Sequence, residues 1–241
     1  MMSKMTIQNL PKIERFDYSK HLPQSSADKT SDVFFVLFSL YIAEREQKEL
    51  TQLVLEKALF KTEQELATEN ISFLNTFFYV NKLGPHNNVF YKYLDELEGA
   101  DLIDKEGNNI SLTAKGLNTC VDLLEKIPKN SNVLNILVKL QAKIKYCSSN
   151  VRRSVDETHE QKVIDTTDKN ETKTINQLIA EIKPENLFER GSQFKYINLF
   201  SSSNPQKVSP PPNILNKLEN ILAKVDEIDF QQNISFENLF A

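Results

Sequence analysis

Six consecutive apolar side chains, Val33 to Phe38, are the strongest constraint on the fold of this chain. As a helix the segment is apolar on every side, and such a helix must lie inside a body rather than on it. Ser31 or Asp32 is expected to cap it. Further helices are expected from Glu49 to Ala67, from Asn87 to Leu97, from a cap at Thr113 to about Ile127, and from Val133 to Tyr146. Each carries apolar residues at helical spacing. Gly99 is expected to end the third as a left-handed cap. Ile71 to Val80 is aromatic and β-branched, and fits a strand or a short buried helix equally well.

Between the helices lies a second pattern. Leu102-Ile103-Asp104 and Ile110-Ser111-Leu112 flank a turn of Lys105-Glu106-Gly107-Asn108-Asn109, which predicts a β-hairpin. Helix, glycine, strand, turn, strand, helix is the order of a winged helix, in which an exposed helix and a two-stranded wing grip a partner. The expected fold is therefore mostly α with a small β-hairpin: a winged-helix-like domain over 31–147. An N-terminal arm with little regular structure would occupy 1–30. From Ser148 to Thr174 the apolar content collapses, so 148–174 is expected to be a disordered linker. Residues 175–241 would form an extended, partly disordered tail with one amphipathic helix, Asn213 to Phe230.

Several of these segments resemble a known family. They are Leu55-Glu56-Lys57-Ala58-Leu59-Phe60, Leu83-Gly84-Pro85-His86 running into Tyr93-Leu94-Asp95-Glu96-Leu97, Asp101-Leu102-Ile103, and Leu112-Thr113-Ala114-Lys115-Gly116. Together they are similar to the winged-helix family related to SocA-like (Panacea) antitoxin domains and to YwgA-like uncharacterised proteins. The resemblance covers 31–126, under half of the chain. It implies a regulator, such as an antitoxin, proteolysis adaptor or defence component, and it brings no catalytic residues. The chain departs from the family at His86-Asn87-Asn88, where Tyr-Ser is usual, and at Ala100, near a usual glycine.

Chemistry-bearing motifs are not found. The five glycines have neither phosphate-loop nor dinucleotide-fold spacing. His21, His86 and His159 lie far apart, so neither a metal site nor a cofactor is expected. The sequence holds no nucleophile elbow and no kinase signature. Cys120 and Cys147 are expected to be free thiols in the cytoplasm. No membrane span and no secretory signal are expected. A non-enzymatic protein is the expectation.

The formal charge of −4 is unevenly distributed. Residues 29–126 carry −6, residues 127–153 carry +6, and residues 154–241 carry −5. A nucleic-acid binder must neutralise phosphates with Lys, Arg or backbone amides. The candidates are His86, Asn87, Asn88, Tyr91 and Lys92 on the exposed helix, and Lys105 on the wing. Lys139, Lys143, Lys145, Arg152 and Arg153 in the basic island complete the set. The island has a second possible use, which is to dock an acidic protein surface, this protein's own included.

In the tail, Asn-Leu-Phe occurs three times, at 186–188, 198–200 and 238–240. Leu-Phe pairs in polar surroundings suggest contact sites, and repetition raises apparent affinity. Leu187, Phe188, Leu199, Phe200, Leu239 and Phe240 are therefore candidate partner-binding residues. Leu218 and Val225, on the apolar seam of the amphipathic helix, join them. That helix could also pair two copies of the chain through 213–230. The expected function is a regulatory or adaptor protein that binds a protein partner through the tail and the winged-helix surface. The alternative is a winged-helix DNA-binding regulator or an antitoxin-like defence component.

Overall fold

The structure is a computed structural model that describes residues 10–15, 25–167, 170–182, 195–200 and 204–223. It is mostly α-helical, and its organising element is α1 (Ser26–Arg45). Every residue from Thr30 to Leu40 is buried. The cap is Ser25, whose Oγ accepts from the Asp28 N–H at 3.1 Å, so the cap lies six residues before Ser31 and seven before Asp32, the two expected positions. Asp32 sits in the helix interior and is fully buried. Residues from α3 (Val89–Gly99), α4 (Ala114–Leu124), α5 (Asn132–Ser149) and strand β7 (Asn109–Leu112) surround α1. Helix α2 (Gln52–Ala67) packs along α5, and Thr51 caps it.

The expected hairpin forms from β6 (Ile103–Glu106) and β7, and β2 (Leu50–Thr51) adds a third strand to it by pairing Leu50 with Ile110. The helix before it ends differently from expectation. Gly99 is helical, Ala100 is the C-cap, and Asp101 adopts the left-handed conformation at φ +56°. Aspartate tolerates that region better than most residues.

The start of α4 explains Leu112-Thr113-Ala114-Lys115-Gly116. The Thr113 hydroxyl accepts from the Gly116 N–H at 2.9 Å and donates to the Asp101 carbonyl at 2.7 Å. Lys115 Nζ donates to the Ala100 carbonyl at 2.6 Å. Gly116 leaves room for the Leu102 carbonyl, which would lie 1.9 Å from a Cβ at that position.

The largest departure from expectation is a six-stranded sheet in the order β5-β4-β10-β1-β8-β9, far more than a hairpin. Its strands are β1 (Lys12–Arg15), β4 (Tyr79–Asn81), β5 (Gly84–His86), β8 (Lys162–Asp165), β9 (Glu171–Thr174) and β10 (Lys195–Asn198). Strand β1 comes from the segment expected to be an unstructured arm. It runs antiparallel to β10 and parallel to β8. Residues 148–174, expected as a disordered linker, carry the end of α5, α6 (Val151–His159), β8 and β9. Val163 is fully buried, and the buried Asp165 binds Lys195 at 2.7 Å and Lys173 at 3.4 Å. A few well-placed apolar residues suffice here because strand pairing supplies the backbone hydrogen bonds that a polar composition hides.

The undecided segment 71–80 resolves into β3 (Ile71–Ser72) and β4 with a loop between them. The tail is also folded where described. Helix α7 (Ile175–Glu181) opens with a capping box of Thr174 and Gln177, and packs on β4, β5 and β9. Strand β11 (Gln206–Lys207) pairs in parallel with β3. Helix α8, over 212–223, buries Ile214 and Leu218 completely. Ser26 donates to Glu219, and Lys217 binds Asp122, so α8 is tied to α1 and α4. Among the described residues no helix is long and apolar enough to cross a membrane.

Two outcomes follow. Gly→Ala inside a helix ordinarily stabilises by about 1 kcal/mol. Gly116→Ala should instead destabilise by at least about 2 kcal/mol, measured by urea unfolding, because the Leu102 carbonyl occupies the Cβ position. Leu218→Asp should cost about 3–5 kcal/mol of whole-domain stability in the same assay, since its site has no exposure to water.

Candidate functional site

Two buried polar clusters and one cavity flank α2, the first between α1 and the two-stranded β11–β3 sheet and the second beneath strands β4 and β5 of the six-stranded sheet. The first cluster gathers Asp32 from α1, Glu63 from α2, Ser72 from β3 and Lys207 from β11. Asp32 Oδ1 accepts from the Asn75 N–H at 2.7 Å and from Asn75 Nδ2 at 3.1 Å. The Tyr93 hydroxyl lies 3.4 Å from Asp32 Oδ2. Glu63 Oε1 accepts from Ser72 Oγ at 2.6 Å, and Oε2 from the Phe73 N–H at 3.2 Å. Lys207 Nζ donates to Ser72 Oγ at 3.0 Å and to the Leu74 carbonyl. Burial pushes both carboxyls up, each to about 7, against the hydrogen bonds and the Lys207 charge that pull them down.

Beside this cluster lies a cavity of about 230 Å³. Its polar lining includes Glu63, Ser72 and Lys207, and its walls include Phe77, Phe78, Tyr196 and Phe200. An apolar cavity with a few converging polar groups and shifted carboxyls is the arrangement that ligand sites share.

The second cluster sits under the β4–β5 turn. Lys57 Nζ donates to the Leu83 and Pro85 carbonyls, each at 3.0 Å. His159 Nε2 lies 3.2 Å from the same Leu83 oxygen. Burial lowers the Lys57 ammonium to about 8, against the opposing Glu56 charge. Gly84, at φ +90°, lets the backbone pass within reach, because a Cβ there would sit 2.7 Å from His159 Nε2. Glu56 Oε2 holds His86 Nδ1 at 2.9 Å.

That last contact corrects an expectation. His86 is buried with Glu56, and Asn87 is buried with its Nδ2 donating to Thr76 Oγ1 at 2.7 Å. Neither can read a base edge. Asn88, Tyr91 and Lys92 stay on the surface. Lys105 is held by Asp95 at 2.7 Å and Glu98 at 2.5 Å.

The basic island turns toward the chain's own acids. Lys139 binds Glu65 at 2.9 Å and Glu69 at 3.0 Å, and Lys143 binds Glu65 at 2.6 Å. Lys145 meets Glu46 at 3.4 Å, Arg152 meets Asp156 at 4.0 Å, and Arg153 meets Glu157 at 3.1 Å. Lys139 and Lys143 thus dock α5 on the acidic face of α2, Lys145 reaches the C-cap of α1, and Arg152 and Arg153 pair within α6.

Of the tail candidates, Leu199 and Phe200 are half-buried beside the cavity, and Leu218 lies in the core. The partner-binding role expected for Leu218 is therefore corrected, and the first half of the 213–230 seam is used within the chain. Leu187, Phe188, Val225, Leu239 and Phe240 lie outside the described residues. The second Asn-Leu-Phe copy shows what its asparagine does: Asn198 Oδ1 accepts from the Phe200 N–H at 3.0 Å, a local turn that sets Leu199 and Phe200 side by side.

Asp32, Glu63, Ser72 and Lys207 were not among the sequence candidates. Two signals could have found them. Asp32 is an acid directly before six apolar residues, and Glu63 falls between Leu59 and Leu66 on the apolar face of α2. Compared with known proteins, the chain matches no family model, no curated protein and no solved structure.

Raised carboxyls stabilise the fold fully below their unfolded values, and that stabilisation is lost as pH rises through about 7. The wild-type chain should lose on the order of 2 kcal/mol per carboxyl between pH 5 and pH 8. Asp32→Asn should lose measurably less over the same interval. Thermal melts at the two pH values check this.

Proposed function

We propose that this chain is a non-enzymatic regulatory or adaptor protein that binds a protein partner through a winged-helix-like surface made by α3 and the β6–β7 hairpin. The order α1, β2, α2, α3, β6, β7, with β2 joining the hairpin, supports the winged-helix-like reading. An insertion of β3, β4 and β5 separates α2 from α3. The resemblance to SocA-like antitoxin domains over 31–126 agrees with a regulator. Buried free thiols at Cys120 and Cys147 suit a reducing compartment such as the cytoplasm.

One observation carries the choice of partner. Of the seven candidate cations, Lys105, Lys139, Lys143, Lys145, Arg152 and Arg153 each face a carboxylate of the same chain, which leaves Lys92 as the exception. The α3–hairpin face then presents Asp95, Glu98, Asp104 and Glu106 in excess over Lys92 and Lys105. Such a face repels nucleic acid. Tyr91, 44% exposed, stands against His86 on this side, and Leu83, 61% exposed, projects from the neighbouring β4–β5 turn. An exposed aromatic on an acidic face, with an exposed aliphatic side chain on the β4–β5 turn, suits a protein partner with basic and apolar side chains.

The double change Leu83→Asp with Tyr91→Asp should leave the circular dichroism and melting temperature close to wild type. It should abolish co-purification of the partner that the wild-type chain holds. Retention of that partner by the folded double variant would overturn the assignment of this face. In a second arm, the wild-type chain is titrated with duplex DNA at about 50 mM salt. Binding tighter than about 1 μM that weakens steeply with added salt would favour the DNA-binding regulator instead.

A further inference from the structure

The cavity beside Glu63 has walls and charges that are not accounted for by folding or by the partner face proposed above. Its volume, about 230 Å³, exceeds the roughly 150 Å³ that suffices for one benzene ring. Four of its lining residues are aromatic: Phe77, Phe78, Tyr196 and Phe200. They come from three separate places, the 73–78 loop, β10 and the turn after β10. Phe77 and Tyr196 meet edge to face with centroids 5.1 Å apart. Aromatic rings attract organic cations through their electron-rich faces.

The charges point the same way. Glu63 lines the cavity, and Asp32 lies behind it within electrostatic reach of both Glu63 and Lys207. Once both carboxyls are ionised, above about pH 7, two carboxylates share one ammonium. Lys207 already directs Nζ to Ser72 Oγ and to the Leu74 carbonyl, on the β11 side of the cavity. It reaches Glu63 only through the Ser72 hydroxyl, which itself donates to Glu63 Oε1. A second positive charge would balance the cluster, whereas an anion would meet two carboxylates.

We infer that this cavity binds a small organic cation, a primary or methylated amine on an apolar or aromatic body, with its ammonium against Glu63 and its body among Phe77, Phe78, Tyr196 and Phe200. The site stands independently of the α3–hairpin face, so either assignment can fail without the other. The titratable groups facing Glu63 are Asp32 from α1, Lys207 from β11 and Tyr196 from β10. Because Glu63 titrates near 7, it must give up its proton to take a cation, so binding strengthens as pH rises.

The test is calorimetric titration of the full chain with three ligands of one shape: 2-phenylethylamine, 2-phenylethanol and 3-phenylpropanoate. At pH 8 the amine should bind at least about tenfold more tightly than the alcohol, and the carboxylate should not bind. Lowering the pH from 8 to 6 should weaken the amine about tenfold and leave the alcohol unchanged. Glu63→Gln should erase the advantage of the amine over the alcohol, and Phe200→Ala should weaken both. Equal binding of alcohol or carboxylate and amine overturns the proposal. So does wild-type amine affinity in Glu63→Gln, or the absence of amine binding at millimolar concentration. The ligand series on the wild-type chain decides the question even where Glu63→Gln loses its fold.

Discussion

The fold depends on burying α1 on every side. A helix with Val33, Phe34, Phe35, Val36, Leu37 and Phe38 in sequence has no face to offer water, so α3, α4, α5 and β7 must enclose it. Aromatic packing fixes the arrangement. Phe34 stacks with Phe38 at 4.3 Å, and Phe35 meets Phe73 of the following loop at 4.7 Å. Enclosing α1 also buries Asp32, and a buried carboxyl must find donors. Asn75 and Tyr93 supply them, which ties the 73–78 loop and α3 to the central helix. The polar cluster is therefore a consequence of the core and not an addition to it.

A second constraint is the disposal of charge. The +6 island and the acidic segment before it are complementary in sequence, and the fold brings them together across α2 and α5. Exposed ion pairs of this kind add little stability individually. Their larger effect here is on what the surface can recognise. Cations held beside carboxylates present almost no net charge to a distant phosphate. The α3–hairpin face is left acidic, which is why we propose a protein rather than a nucleic-acid partner for a scaffold whose element order suits either.

Much of the helical domain was legible in the sequence. Apolar periodicity located the helices from 49 to 146, and the Gly107-Asn108 turn with its flanking strands located the hairpin. Those signals are local, because propensity and turn chemistry act over a few residues. The capping role of Thr113 was legible for the same reason. Three readings failed where long-range pairing took over. Strand β1, with Ile13 as its buried residue, is a short isolated strand whose partners are some 150 and 185 residues away, β8 and β10. The polar stretch 148–174 was expected to be unfolded, yet it supplies two strands of the sheet. Leu218 was expected to wait for a partner, and it instead fills the core.

By itself the sequence determined that a helix at 33–38 must be enclosed, that helices and a hairpin follow in a fixed order, and that the basic and acidic segments are separate blocks. Each of these rests on interactions between residues close in the chain, or on composition. Only the tertiary structure decided which charges meet, that Leu199 and Phe200 turn toward the cavity, and where carboxylates gather. Asp32, Glu63, Ser72 and Lys207 are spread over 176 positions, and no local pattern links them. They converge because β11 pairs with β3, and because the loop after β3 crosses α1. The aromatic cavity beside them arises in the same way, from a loop and a strand more than a hundred residues apart, placed side by side by the pairing of β4 with β10.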